Sequence, residues 1–119
     1  VKTEIIELHG LNVQEALHKT YSNLQWAIEH GVDLVVINHG KGHHSERNFS
    51  VLKTEVRKML KQESAWLREH GYRVIYGESD LPVALTYNGG QTLVLIRGIE
   101  SDYIGDSKQK SQKPGDIFR

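Results

Sequence analysis

The sequence predicts an α/β domain with a mixed four-stranded sheet, in the order β-α-β-α-β-β. Two observations predict it: short apolar runs alternate with stretches of helical periodicity, and the first two runs both end in His-Gly. Residues Thr3–Leu8 (TEIIEL) form the first run and read as a strand. Asn12 followed by Glu15 has capping-box spacing, so a helix is expected to start there. Val13, Ala16, Leu17, Thr20, Leu24, Ala27 and Ile28 then recur at helical spacing, and Gly31 is placed to end the helix in a left-handed conformation. Asp33–Asn38 (DLVVIN) is nearly continuous in apolar character, as expected of a strand covered on both faces. After the polar stretch Lys41–Arg47, Phe49, Leu52, Val56, Leu60, Glu63 and Leu67 mark one stripe of a second helix that stops at Gly71. Tyr72–Tyr76 and Thr92–Arg97 are two more strands, separated by a loop containing Pro82 and Asn88-Gly89-Gly90. The βαβ order makes the first strands parallel through right-handed crossovers, and the last strand is expected to run antiparallel. Residues 1–100 form the expected domain. Ser101–Arg119 is polar, lacks periodicity and reads as a flexible tail or linker, with Ile117-Phe118 as a pair that could dock.

At 119 residues the chain is long enough to bury one core without staples. Lys plus Arg equals Asp plus Glu, 15 against 15, so any nucleic-acid surface must be a local patch. The absence of cysteine excludes disulfides, thiolate metal sites and a cysteine nucleophile. No apolar run approaches the roughly 20 residues of a membrane span. No signal-peptide pattern stands at the start, so an intracellular, cytoplasmic setting is the default expectation. The first residue is Val1, as in a piece of a longer protein.

In parallel α/β sheets ligands gather beyond the carboxyl ends of the strands, where helix N-termini direct free amides. His9-Gly10 and His39-Gly40 both fall at that edge. Two imidazoles there can serve as acid and base near neutral pH, and the glycines let a phosphate approach the main chain. Lys41 and Gly42 extend the second turn to His-Gly-Lys-Gly, whose lysine can offset phosphate charge. Strand alternation puts Glu7 on the side of His9, where it can orient the ring, hold a metal or accept a proton. The competing reading of each His-Gly pair is a plain turn. His43 and His44 read as solvated loop residues, since adjacent side chains point apart and no carboxylate completes a ligand set. Arg47, Lys53, Arg57, Lys58 and Lys61 could face a nucleic acid, of which Arg47 and Lys53 are the two kept as candidates. Glutamates share that helix, so a mixed-charge solvated face competes. No P-loop, dinucleotide fingerprint or Ser-His-Asp order is present.

These motifs resemble the small MutS-related domain family, Smr. Its first strand carries Leu-Asp-x-His, matched here by Ile6, Glu7, Leu8 and His9, followed by Gly10-Leu11 and the Glu15-Ala16 pair. Its His-Gly-x-Gly motif is matched by His39-Gly40-Lys41-Gly42, and its glycine turn before the last strand by Gly89-Gly90. The chain departs from the pattern in Ile6-Glu7 for Leu-Asp, and in Gln91 where many members have a further glycine. The resemblance implies a two-layer α/β sandwich similar to the C-terminal domain of bacterial translation initiation factor three. It also implies endonuclease activity, as DNA nicking or RNA cleavage, in some members at ribosomes.

The expected function is therefore phosphodiester cleavage of RNA or DNA. Glu7, His9 and His39 are the candidate catalytic residues, and Gly10, Gly40, Lys41, Gly42, Arg47 and Lys53 the candidate phosphate or nucleic-acid contacts. RNA supplies its own 2′-hydroxyl nucleophile. On DNA a water must attack, and a divalent metal such as magnesium becomes the expected cofactor. The competing expectation is a module that binds nucleic acid or a ribosomal surface without cutting it, or that tethers a larger protein.

Overall fold

A computed structural model of the chain describes residues 1–41 and 47–104, with side chains in the second stretch from residue 51 onward. The elements are β1 (Thr3–Glu7), α1 (Val13–Glu29), β2 (Leu34–Asn38), α2 (Arg47–Gln62), α3 (Ser64–Glu69), β3 (Tyr72–Tyr76) and β4 (Gln91–Ile96), with a 3₁₀ turn at Pro82–Ala84. The expected capping box opens α1: Glu15 N–H donates to Asn12 Oδ1 at 2.8 Å, and Asn12 N–H donates back to Glu15 Oε1 at 3.0 Å. Gly31 follows the helix at φ +68°, the left-handed value that its position required. The second expected helix is two helices. Glu63 leaves helical geometry at ψ 16°, and the apolar stripe resumes in α3, where Leu67 rejoins the core.

The sheet has the order β1-β2-β4-β3, with β1 and β2 parallel and β4 antiparallel to both of its neighbours. The last strand in sequence thus lies between β2 and β3. Alternation along the central pair buries both faces. Val35, Ile37 and Val94 pack beneath Ala16, Leu24, Leu52, Val56, Leu60 and Leu67 of the three helices. Leu34, Val36, Leu93 and Leu95 form a second cluster with Val83, Ala84 and Ile104. Helices therefore cover one face, while the β3–β4 connection and the segment after β4 cover the other. Tyr21 of α1 stacks on Trp66 of α3, with ring centroids 5.2 Å apart, joining the first helix to the last. No helix among the described residues is long and apolar enough to cross a membrane.

The folded part reaches beyond the expected boundary at residue 100. Ile104 is only 8% exposed, because the second sheet face needs an apolar cover and this side chain supplies part of it. Residues 105–119, with Ile117 and Phe118, lie outside the described residues. Ile104→Ala should cost about 2 kcal/mol, the low end for a large-to-small core change. Truncation after Glu100 should cost at least as much. Urea unfolding of the two variants against the parent chain measures both, and an unchanged midpoint would show that Ile104 adds nothing to the core.

Candidate functional site

Because β4 runs against its neighbours, its amino end meets the carboxyl ends of β1, β2 and β3 at one sheet edge. Four segments line that edge in spatial order: Glu7–Gly10, Asn38–Lys41, the Gly89–Gly90 turn leading into Thr92, and Gly77–Glu78.

At the end of β1, Glu7 stands beside its register partner Asn38. Asn38 Nδ2 donates to Glu7 Oε1 at 2.7 Å, and the backbone N–H of His9 donates to Glu7 Oε2 at 3.0 Å. The Glu7 carboxylate thus engages His9 through the main chain and fixes the backbone that carries the ring. From α1, Lys19 Nζ donates to the Glu7 carbonyl at 2.8 Å. Leu8 is fully buried between them and anchors the strand end, leaving His9 and Gly10 exposed at the surface.

At the end of β2, His39 has the opposite placement. It is 1% exposed, with Nδ1 2.8 Å from the Gly40 carbonyl and Nε2 2.7 Å from Thr92 Oγ1. A carbonyl only accepts, so Nδ1 carries the proton. The neutral ring then accepts at Nε2 from the Thr92 hydroxyl, which in turn accepts from Arg57 Nε at 2.8 Å. Burial, chiefly, lowers the His39 pKa from 6.5 to about 4, and the Arg57 and Lys53 charges push the same way. The acid–base role expected of His39 does not fit this placement: the ring faces the interior, is neutral near pH 7 and has both nitrogens engaged. It orders the loop instead. The amide cradle expected of Gly40 is also displaced. The N–H groups of His39 and Gly40 donate to the Gly90 carbonyl at 3.1 and 3.0 Å, lacing the two glycine loops together. Gly40 takes φ +86° to make that turn.

Arg57 is the residue at this edge that the sequence hid. Its guanidinium pairs with both oxygens of Glu78 at 2.8 Å, donates to the Gln91 carbonyl at 3.1 Å and lies 3.8 Å from the centre of the Tyr76 ring. These hydrogen bonds, first of all, pull the Glu78 carboxyl down to about 2. Gly77 allows the close approach that this arrangement needs. A Cβ there would lie 2.1 Å from the Asn88 carbonyl oxygen and 2.6 Å from that of Gln91. On its spacing Arg57 is one of five cations on a mixed-charge helix, and nothing marks it. Gly77 did leave a signal, being a third glycine just past a strand end.

Two of the expected cations come together. Lys53 Nζ lies 3.3 Å from the Cβ position of Gly89, and Lys41 Cγ lies 3.3 Å from that of Gly90. No ion pair among the described residues engages either lysine. The absence of side chains at the Gly89–Gly90 turn is what lets both reach it. Gly42, His43 and His44 and the Arg47 side chain lie outside the described residues, although the Arg47 backbone opens α2. Among the described residues no three His, Asp or Glu side chains converge as a metal cage requires.

The His39 geometry fixes a pH dependence of stability. The unfolded ring takes up a proton as pH falls through 6.5, whereas the folded ring resists until about 4. The stability that His39 confers is therefore full above pH 6.5 and lost toward pH 4, a change on the order of 3 kcal/mol. Glu78, with its lowered pKa, adds a further loss from 4.5 toward 2. Urea unfolding at pH 7 and pH 4.5 should show the decline, and His39→Asn should flatten it between 6.5 and 4. An equal decline in both proteins would place the titration elsewhere.

Comparison with known proteins agrees with this architecture. Residues 6–78, more than half of the chain, match the family pattern described as Smr domain. The crystal structure of the Smr domain of Thermus thermophilus MutS2 superimposes with a TM-score of 0.52 at 24% identity, covering 82% of this chain and 99% of that one. At that identity the likeness is one of fold. No curated protein is similar enough in sequence to count as a match. On the family match, with the MutS2 domain sharing its fold, the chain belongs to the Smr domain family, whose members have nuclease or nucleic-acid-binding roles.

Proposed function

We propose that this Smr domain is an endonuclease that cleaves phosphodiester bonds in RNA or nicks DNA, working at the sheet edge between His9 and the Gly89–Gly90 turn. The observation that carries the reading is the placement of His9. It is exposed at the end of β1 on a backbone fixed by Glu7, across β2 from a turn flanked by Lys41 and Lys53. Such an edge offers a phosphodiester cationic charge on one side and an imidazole on the other. On RNA, His9 takes the proton of the 2′-hydroxyl as that oxygen bonds to phosphorus. It returns a proton to the 5′ oxygen as the phosphorus–oxygen bond breaks. Lys41 and Lys53 offset the charge that builds on the phosphoryl oxygens. On DNA the same groups orient the phosphate for attack by water. His39 acts through the loop it orders, and Glu7 by holding the His9 backbone.

One observation favours a second reading, a module that binds nucleic acid without cutting it. Of the two imidazoles that the His-Gly turns supply, only His9 reaches the surface. Ribosome association is a proposal that follows from the family resemblance alone, and a cytoplasmic setting one that follows from the lack of a signal-peptide pattern at the start of the sequence.

Cleavage of labelled single- and double-stranded RNA and DNA, with and without chelator, separates the readings. His9→Ala should slow cleavage roughly 100- to 10,000-fold with little loss of binding. Glu7→Gln should slow it less, because an amide still accepts the His9 N–H. An RNA lacking the 2′-hydroxyl only at the scissile position should resist cutting, and normal products should end in a cyclic phosphate. Wild-type rates in His9→Ala would sink the assignment and leave binding ahead. The two lysines make a separate expectation. Lys41→Ala and Lys53→Ala should each reduce the salt slope of binding by roughly 0.7 to 0.9, one phosphate contact apiece. An unaltered slope would remove that lysine from the interface.

A further inference from the structure

A groove of about 610 Å³ runs beside β3, the edge strand farthest from His9, between that strand and α2–α3. Its volume is in the range of pockets that enclose small organic groups, about 300 to 1,000 Å³. Leu60, Leu67, Val74 and Leu81 give it apolar walls, and Tyr76 stands in it 41% exposed. Its charges are one-sided in a chain whose net charge is zero. Among the described residues, Arg57, Lys61, Arg68, Arg73 and Arg97 line it against Glu78 alone. Arg57 is neutralised by Glu78, and Arg73 by Glu100 from outside the groove. Lys61, Arg68 and Arg97 are exposed, and no ion pair among the described residues engages them.

We propose that this groove binds the single-stranded nucleic acid flanking the cleaved bond, with a base against Tyr76 and backbone phosphates on Lys61, Arg68 and Arg97. The inference rests on the reading that the ligand is nucleic acid, and it names the part of the ligand that the sheet edge alone leaves unheld. Three observations select this occupant. Apolar walls with an exposed aromatic suit a base, since stacking on a ring is tolerant of sequence. Three exposed cations around them, engaged by no ion pair among the described residues, suit a polyanion, the pairing that single-strand grooves use. The groove also adjoins the edge proposed as catalytic. The Arg57–Glu78 pair is part of its lining, and Glu78 Oε1 lies 4.0 Å from the Cβ position of Gly89, the turn that Lys53 reaches. A strand lying on Lys41 and Lys53 can therefore pass the Arg57–Glu78 pair into the groove. Double-stranded nucleic acid suits it less, because paired bases have no free face to offer Tyr76.

The test uses a fluorescein-labelled uridine decamer, its deoxy counterpart and an acidic decapeptide, with binding read by anisotropy between 50 and 200 mM salt. The variant is Lys61→Ala/Arg68→Ala/Arg97→Ala, whose three side chains are exposed, so that the fold is preserved and circular dichroism checks it. Decamer affinity should fall at least tenfold, and the salt slope should drop by about 2, at roughly 0.7 per single-strand phosphate contact. A decamer carrying 4-thiouridine should crosslink to the peptide that contains Tyr76. Unchanged affinity and slope in the triple variant, with wild-type binding intact, would overturn the groove and leave the sheet-edge reading standing. Crosslinks confined to the His9 and Lys41 peptides would do the same. Loss of peptide binding with decamer binding kept would give the groove a protein ligand and overturn this occupant. A wild-type chain that binds neither decamer would overturn the nucleic-acid reading itself.

Discussion

Arg57 reaches from α2 to the carboxyl edge of the sheet and divides its donors among three places: the Glu78 carboxylate, the Gln91 carbonyl and the Thr92 hydroxyl. Its side chain is only 11% exposed, and a guanidinium so enclosed is tolerable because its donors have partners. The direction of these bonds then decides what lies beyond. The Gly40 carbonyl can only accept, so the His39 proton stands on Nδ1 and Nε2 accepts from the Thr92 hydroxyl, whose oxygen accepts in turn from Arg57 Nε. One cation on a helix is thereby joined through a single hydroxyl to the histidine at the end of β2 and to the loop that carries Lys41. An isosteric Val in place of Thr92 would keep the volume and break the relay at both ends.

The relay can exist because β4 lies between β2 and β3. Thr92 sits opposite Ile37 on one side and Tyr76 on the other, so its hydroxyl is within reach of both the His39 turn and the Arg57 stack. The same insertion carries the Gly89–Gly90 turn to the edge where the other strands end. The Gly90 carbonyl there takes the amides of His39 and Gly40 together. The His-Gly turn of β2 is thus a structural joint, and the His-Gly turn of β1 is an exposed one. Two dipeptides identical in sequence have opposite roles, because β1 is an edge strand and β2 is central.

That difference also marks the limit of what the sequence discloses. The apolar runs, the capping box around Asn12 and Glu15, and Gly31 report local preferences, which tertiary packing did not override. The elements, their order and the mixed character of the sheet were legible from them. The break at Glu63 was not, because the apolar stripe continues on its own period from α2 into α3. Ile104 was hidden too. Nothing in its neighbourhood repeats, and its burial follows only from a sheet face that needs covering. Among site residues, the edge positions of Glu7, His9 and Lys41 were readable from strand ends and glycines, whereas Lys53 was one of five cations on a mixed-charge helix and its place at the edge was not. The burial of His39, and the partnership of Arg57 with Thr92 and Glu78, depend on which strand lies beside which, and no spacing in a β-α-β-α-β-β order reveals that β4 is internal.

A net charge of zero would argue against a nucleic-acid ligand if charge acted as a whole-molecule field. At 0.1 M salt that field is screened beyond about 10 Å, so local arrangement governs. Here the arrangement is uneven. Lys41 and Lys53 stand at the Gly89–Gly90 turn, and Lys61, Arg68 and Arg97 stand around the groove beside β3. The acid between the two groups, Glu78, is committed to Arg57 with both oxygens. Three further glutamates are likewise tied to local work. Glu15 caps α1, Glu7 holds the His9 backbone, and Glu100 pairs with Arg73 and accepts from the Gly98 amide. Carboxylates that are used for hydrogen bonds within the fold do not cancel cations a groove away. The neutral total is therefore no argument against the proposed course of a polyanion from the His9 edge past Arg57 to β3.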